Sequence, residues 1–257
     1  GDMSSRVMNL LTTFTPDIEI YSIDEAFLKF EGFKYVDLYE YGLQIKRTVT
    51  KGTGIPISVG FAPTKALSKV ANKIAKKYPE RTKGVYVIDT DEKRIKALKW
   101  TKIEDVWGIG RKHAKRLKIK NVHNAFQFTQ LHDDWVRKEM AVVGLRLKHE
   151  LEGKPTLGLE SPKSKKMIAT TRSFEKMYTS YDDLAERIST FTSSCAEKLR
   201  RQNSHCNMIM VFVHTNYFRK DLPQYSRNII IKTDYPTNST IDLSKYAKIG
   251  LKAIYKE

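Results

Sequence analysis

The residues best suited to chemistry lie in Ile18 to Phe30, IEIYSIDEAFLKF, where the carboxylates Asp24 and Glu25 stand side by side. β-Branched and aromatic residues flank them in the proportions of a buried strand. Neighbouring charges inside an apolar ladder are costly unless something pairs them. Successive side chains on a regular strand point to opposite faces, so two acids serving one site require a tight turn between two strands. The natural occupant is a hard divalent cation, usually Mg²⁺ held by one or two carboxylates plus substrate phosphates. The alternative is a hairpin with two solvated acids at its tip.

Two further places suit anions. Lys65 falls in the first turn of a helix that directly follows a strand, where free N–H groups and the helix dipole favour a phosphate. The alternative there is a solvated surface lysine, and the pattern is not a P-loop. VWGIG at 106–110 runs straight into RKHAKRLKIK. Gly108 and Gly110, one residue apart, allow a turn that exposes successive N–H groups, and Arg111, Lys112, Lys115 and Arg116 surround it with positive charge. A tight interhelical turn with a solvated basic helix behind it is the competing reading. His113 has no second histidine at ligand spacing.

These residues belong to a chain of 257 with a net charge of +17, which points to a polyanion, most often nucleic acid. An anionic membrane surface fits less well, because no helix combines a large apolar face with a basic one strongly enough to favour it. No apolar run nears the ~20 residues needed to span a bilayer, and no signal-peptide pattern opens the chain. Cys195 and Cys206 read as free thiols in a reducing compartment, a disulfide between them being the alternative. The expected location is cytoplasmic.

The elements that must position these groups follow from periodicity. Helices are predicted over Met3 to Phe14, Val36 to Lys51 and Pro63 to Tyr78, the last with Thr64 as N-cap, an apolar side and a basic side. Strands are predicted at Ile55 to Phe61 and Gly84 to Ile88, on either side of that last helix. This alternation makes a mixed α/β layer. From Asp91 to Gly153 the pattern is wholly helical, and Pro155 to Ser164 reads as a linker. Beyond it come a strand (Met167 to Met177), a helix (Asp182 to Gln202), strands at Cys206 to His214 and Ser226 to Thr233, and a helix (Asp242 to Lys256). Arg172, Arg219, Lys220, Arg227 and Lys232 fall on or near those strands, as they would if one sheet face met a polyanion. Solvated outer-face residues are the alternative.

YSIDEAF at 21–27, GIPISVGFAPTKALSKVANKIAKK at 54–77 and DVWGIG at 105–110, in this order, resemble the Y-family translesion DNA polymerases, most closely the UmuC branch. DMSSRVM, IATTRSFEKM and AEKLRR are similar to the same branch. The resemblance implies an α+β multidomain fold: a partial mixed α/β palm (1–90), a small all-helical thumb with a helix–hairpin–helix (91–155), a linker (156–165) and a βαββα little finger (166–257). It implies DNA polymerisation in translesion (SOS) repair, with Asp24 and Glu25 ligating two Mg²⁺ ions and Lys65 contacting the incoming deoxynucleoside triphosphate. Gly108, Gly110, Arg111, Lys112 and Lys115 would then grip primer–template DNA, with Arg172 near the template strand. Implied protein partners are UmuD-type subunits, a RecA filament and a sliding clamp.

The family pattern also has a palm strand with a third metal-binding aspartate, a fingers domain, and a final little-finger strand with a clamp-contacting tail. None of these lies within the 257 residues, so the chain reads as a fragment expected to be inactive alone. The rival is a non-catalytic DNA-binding relative that keeps thumb and little finger. A metal-dependent nuclease also uses paired carboxylates, but does not predict the thumb hairpin.

Overall fold

The computed structural model describes residues 1–33, 35–161 and 164–256. The chain divides into two compact units, Gly1–Pro162 and Lys163–Glu257. In the first unit, helix α1 (Asp2–Leu11) leads into strands β1 (Ile18–Ile20) and β2 (Ala26–Leu28). These pair antiparallel, with Glu19 opposite Phe27. Helix α2 (Leu38–Thr53) starts where the Asp37 carboxylate accepts from the backbone N–H of Tyr39 and Glu40, and stops at Gly54, whose φ is 73°. Strands β3 (Val59–Phe61) and β4 (Val85–Val87) pair parallel across helix α3 (Lys65–Lys77), with the one-turn α4 (Pro79–Thr82) between α3 and β4. Gly60 is obligatory, because a Cβ there would lie 2.2 Å from the backbone nitrogen of Asn72 on α3.

Helices α5 (Asp91–Trp100), α6 (Arg111–Ile119), α7 (Ala125–Thr129) and α8 (Asp133–Leu151) follow. Their Leu98, Leu117, Phe128, Val136 and Leu151 share one buried core with Leu67, Val70 and Ile74 of α3. Each such side chain contributes about 2 kcal/mol when fully buried. One core thus runs across residue 90. A smaller core joins Met8 and Leu11 of α1 to Ile45 and Val49 of α2 and to Phe61.

The second unit contains helix α9 (Tyr181–Arg201), strands β5 (Cys206–His214) and β6 (Ser226–Thr237), and helix α10 (Thr240–Ile254). The strands pair antiparallel. Val211 packs on Ala247, Leu251 and Ile254 of α10, with Leu184 and Ile188 of α9 alongside. Met208, Met210, Phe212 and Ile230 stay exposed. Cys195 and Cys206 are free thiols, and burial pushes the Cys206 thiol up. No helix among the described residues is long and apolar enough to cross a membrane.

Three expectations need correction. Met167 to Met177 forms no strand, so this unit is αββα over its regular elements. The segment pairs with neither free edge of the β5–β6 sheet and instead bonds to α9 through side chains. Gln202 exchanges hydrogen bonds with the backbone of Lys165, and Lys198 donates to the carbonyl of Ala169. Second, the strands of the first unit form two separate pairs rather than one sheet. Third, the predicted linker is pinned in its first half. Glu150, fully buried on α8, accepts from the N–H of Thr156 and Leu157 at 2.6 and 2.9 Å. Pro162 and Lys163 of that linker, and Glu257 of the predicted little finger, lie outside the described residues.

Candidate active site

The β1–β2 hairpin turns where the two acids sit. The backbone N–H groups of Tyr21 and Ser22 both donate to the Glu25 carbonyl at 3.0 Å, closing the loop. Within it the Ser22 hydroxyl donates to Asp24 Oδ1 at 2.7 Å and accepts from the Asp24 N–H at 3.3 Å. The turn places Asp24 in solvent and leaves Glu25 half-buried, so the cost of burying both charges does not arise.

The basic side of α3 meets this hairpin as a ladder of ion pairs. Lys65, Lys69 and Lys73 recur every four residues and so share one face. Lys65 Nζ donates to Glu19 Oε2 at 2.6 Å, Lys69 pairs with Glu25, and Lys73 reaches Asp105 at 2.8 Å. Glu19 precedes Asp24 by five residues on the same hairpin, and it is buried. It is missing from the site expected on sequence grounds, although the sequence carries a signal for it. An acid inside a β-branched run needs a cation, and period-two alternation puts Glu19, Tyr21, Glu25 and Phe27 together on one face.

Lys65 is accordingly neither solvated nor loose. Its ammonium also donates to the Gly158 carbonyl at 3.2 Å and lies 4.6 Å from the centroid of the Phe27 ring. The N-terminus of α3 is capped from within. Thr64 Oγ1 accepts from Leu67 N–H, and Glu150 Oε2 accepts from Ala66 N–H at 3.2 Å. The protein's own carboxylate occupies the place expected for an external anion.

Aromatic contacts join the hairpin to the turn ahead of α6. The Trp107 indole N–H donates to the Tyr21 hydroxyl at 3.0 Å, and both rings pack against Phe27. Gly108 has φ 86°, and Gly110 is the N-cap of α6 without a side-chain cap. The first N–H groups of α6 thus point out uncapped. Arg111, Lys112 and Lys115 are exposed and have no ion-pair partner among the described residues. Arg116 is taken up by Glu139, and Lys118 by Glu104, whose carboxyl that hydrogen bond holds below the usual range. Arg172 belongs to the second unit, exposed on the extended segment before α9.

Asp24 and Glu25 present hard oxygen donors suited in kind to a divalent cation, and the Lys69 ammonium on Glu25 shows that positive charge is favoured there. In number they fall short of two ions. No cluster of three or more His, Cys, Asp or Glu residues able to hold a metal occurs among the described residues.

Comparison with known proteins agrees with the layout. Residues 1–73 match the profile of the impB/mucB/samB family, and residues 165–257 that of the impB/mucB/samB family C-terminal domain. Protein UmuC of Salmonella typhimurium is 35% identical over 259 residues, covering 100% of this chain and 61% of its own length. Protein SamB of the same organism is 34% identical over 258 residues, with 99% and 61% covered. The chain thus spans about three fifths of the length of these curated relatives. DNA polymerase IV of Saccharolobus solfataricus is 38% identical over 118 residues, covering 45% of this chain and 32% of its own. Among solved structures, a Y-family DNA polymerase chimera superposes with a TM-score of 0.70 at 23% identity, covering 98% of this chain and 70% of its own. The fold is that of Y-family polymerases. The chain belongs to the impB/mucB/samB family, in the UmuC branch of the Y-family translesion DNA polymerases.

Proposed function

We propose that these residues serve an error-prone translesion DNA polymerase acting on primer–template DNA and deoxynucleoside triphosphates in the response to DNA damage. The observation that carries this is the hairpin tip. An exposed and a half-buried carboxylate stand together beside the α3 lysines, a pairing that pure DNA binding does not require. Asp24 and Glu25 are the residues to hold Mg²⁺. When bound, the ions of a two-metal site neutralise charge on the transferring phosphate and activate the primer hydroxyl. Lys65, held by Glu19 and Gly158, uses its remaining N–H toward the triphosphate. The uncapped start of α6 with Arg111, Lys112 and Lys115 grips the DNA backbone as a helix–hairpin–helix does, without reading sequence. Palm, thumb and little finger keep the boundaries given above. UmuD-type subunits, a RecA filament and a sliding clamp are the protein partners this function implies, in the cytoplasm.

The test is primer extension. Residues 1–257 assayed alone offer this site two carboxylates where the resemblance calls for three, so they are expected to bind DNA and incorporate no nucleotide. A longer protein carrying these residues should extend a primer, and Asp24→Ala or Glu25→Ala should abolish extension while leaving DNA affinity unchanged. DNA binding without extension by that longer protein would instead support the non-catalytic relative. Extension by residues 1–257 alone, lost on Asp24→Ala, would mean that another acid completes the site.

A further inference from the structure

Beyond Arg172, expected near the template strand, the RSFEKMY segment at 172–178 has no role in the function proposed above. It forms a cleft of about 390 Å³ with α9, lined among others by Arg172, Phe174, Lys176, Tyr178, Arg187 and Phe191. Arg187 and Phe191 stand one helical turn apart on α9, so a rigid element sets half of the wall. The Phe174 and Phe191 rings are near parallel, 12° between planes with centroids 6.3 Å apart, and Phe174 meets Tyr178 edge-on at 5.0 Å. The Arg187 guanidinium lies 4.0 Å from the Tyr178 centroid and 5.3 Å from that of Phe174. One of its Nη atoms donates to the Tyr178 hydroxyl at 2.7 Å, and its buried Nε has no acceptor among the described residues. Phe174 keeps 38% of its surface exposed, and Arg172 and Lys176 are exposed beside it.

Each feature narrows the ligand. The exposed Phe174 ring, braced by the Arg187 guanidinium, forms a stacking platform for a flat π-system. Arg172, Lys176 and Arg187 against the single carboxylate of Glu175 exclude a cationic ligand and favour an anionic group next to the ring. A buried donor without an acceptor is a cost that an incoming oxygen removes. We propose that this cleft is a stacking site for an unpaired nucleobase of single-stranded DNA, with the adjoining phosphate on Arg172 and Lys176. Duplex DNA cannot fill it, because each base face is already covered by its neighbours. The site rests on the nucleic-acid function proposed above and adds a preference for single strands that a backbone grip does not supply.

Fluorescence anisotropy of residues 1–257 with three labelled DNAs tests this: a twelve-nucleotide thymidine strand, an abasic strand of equal length, and a twelve-base-pair duplex. Phe174→Ala is expected to weaken the thymidine strand about five-fold or more, the lower end of a stacking contact. Binding of the abasic strand and the duplex should stay unchanged. Phe174→Tyr should restore the thymidine affinity, and matching circular dichroism melts control for folding. Equal loss on all three DNAs, or no loss on the thymidine strand, overturns the stacking site while the backbone-binding function stands. Absence of binding to all three overturns both.

Discussion

Glu19 shows how much one buried acid can decide. It accepts from Lys65 Nζ at 2.6 Å and from the Glu160 backbone N–H at 2.7 Å, tying β1, α3 and the segment after α8 to one carboxylate. Both charged side chains are nearly buried, 9% and 12% exposed. Removing one partner of such a pair strands the other charge in a place chosen for an ion pair. Glu19→Ala is therefore expected to lower stability by about 3 kcal/mol, against about 1 kcal/mol for the exposed pair partner change Glu197→Ala. Urea unfolding of both variants measures the difference. Equal losses would show that the Glu19 pair is solvated in the free protein.

Among the elements, α3 and α8 carry most of the positioning. The face of α3 toward the hairpin is charged but neutralised rung by rung, and its opposite face fills the core. Hence Lys65, Lys69 and Lys73 are each held by an acid, whereas Arg111 and Lys112 in the first turn of α6 have no ion-pair partner among the described residues. Helix α8 breaks at Ala141, where φ is 54° and ψ −165°, a backbone region that suits glycine alone. An alanine Cβ there is strained. Ala141→Gly is expected to raise stability by about 1 kcal/mol, since relief of strain exceeds glycine's entropic cost. A higher urea midpoint checks this, and a lower one would mean that the break is unstrained.

On the scale of the whole molecule, two units with separate cores should unfold separately. The second has one two-stranded sheet whose outer face exposes Met208, Met210, Phe212 and Ile230, and its buried set is small. A two-stranded sheet depends on the helices packed against it for stability. Calorimetry is expected to show two transitions, and amide exchange across residues 164–256 should be faster than in the core around α3. A single transition with uniform protection would contradict this.

Much of the chain follows from local patterns in its amino-acid sequence. The turn at Asp24 and Glu25 comes from side-chain alternation, the Thr64 cap from residue type, and the strand Cys206 to His214 from β-branched and aromatic content; all three are present in the fold. These outcomes depend on neighbours along the chain. Three others depend on packing. Met167 to Met177 has strand composition but pairs with neither free edge of the β5–β6 sheet, and bonds to α9 instead. Glu150 takes the free N–H of α3 from 84 residues away, converting an expected anion site into an internal cap. Lys65, polar by type, is mostly covered because Glu19, Gly158 and Phe27 meet it from three separate segments. Composition can propose a charge for a site, but only the fold decides which partner reaches it first.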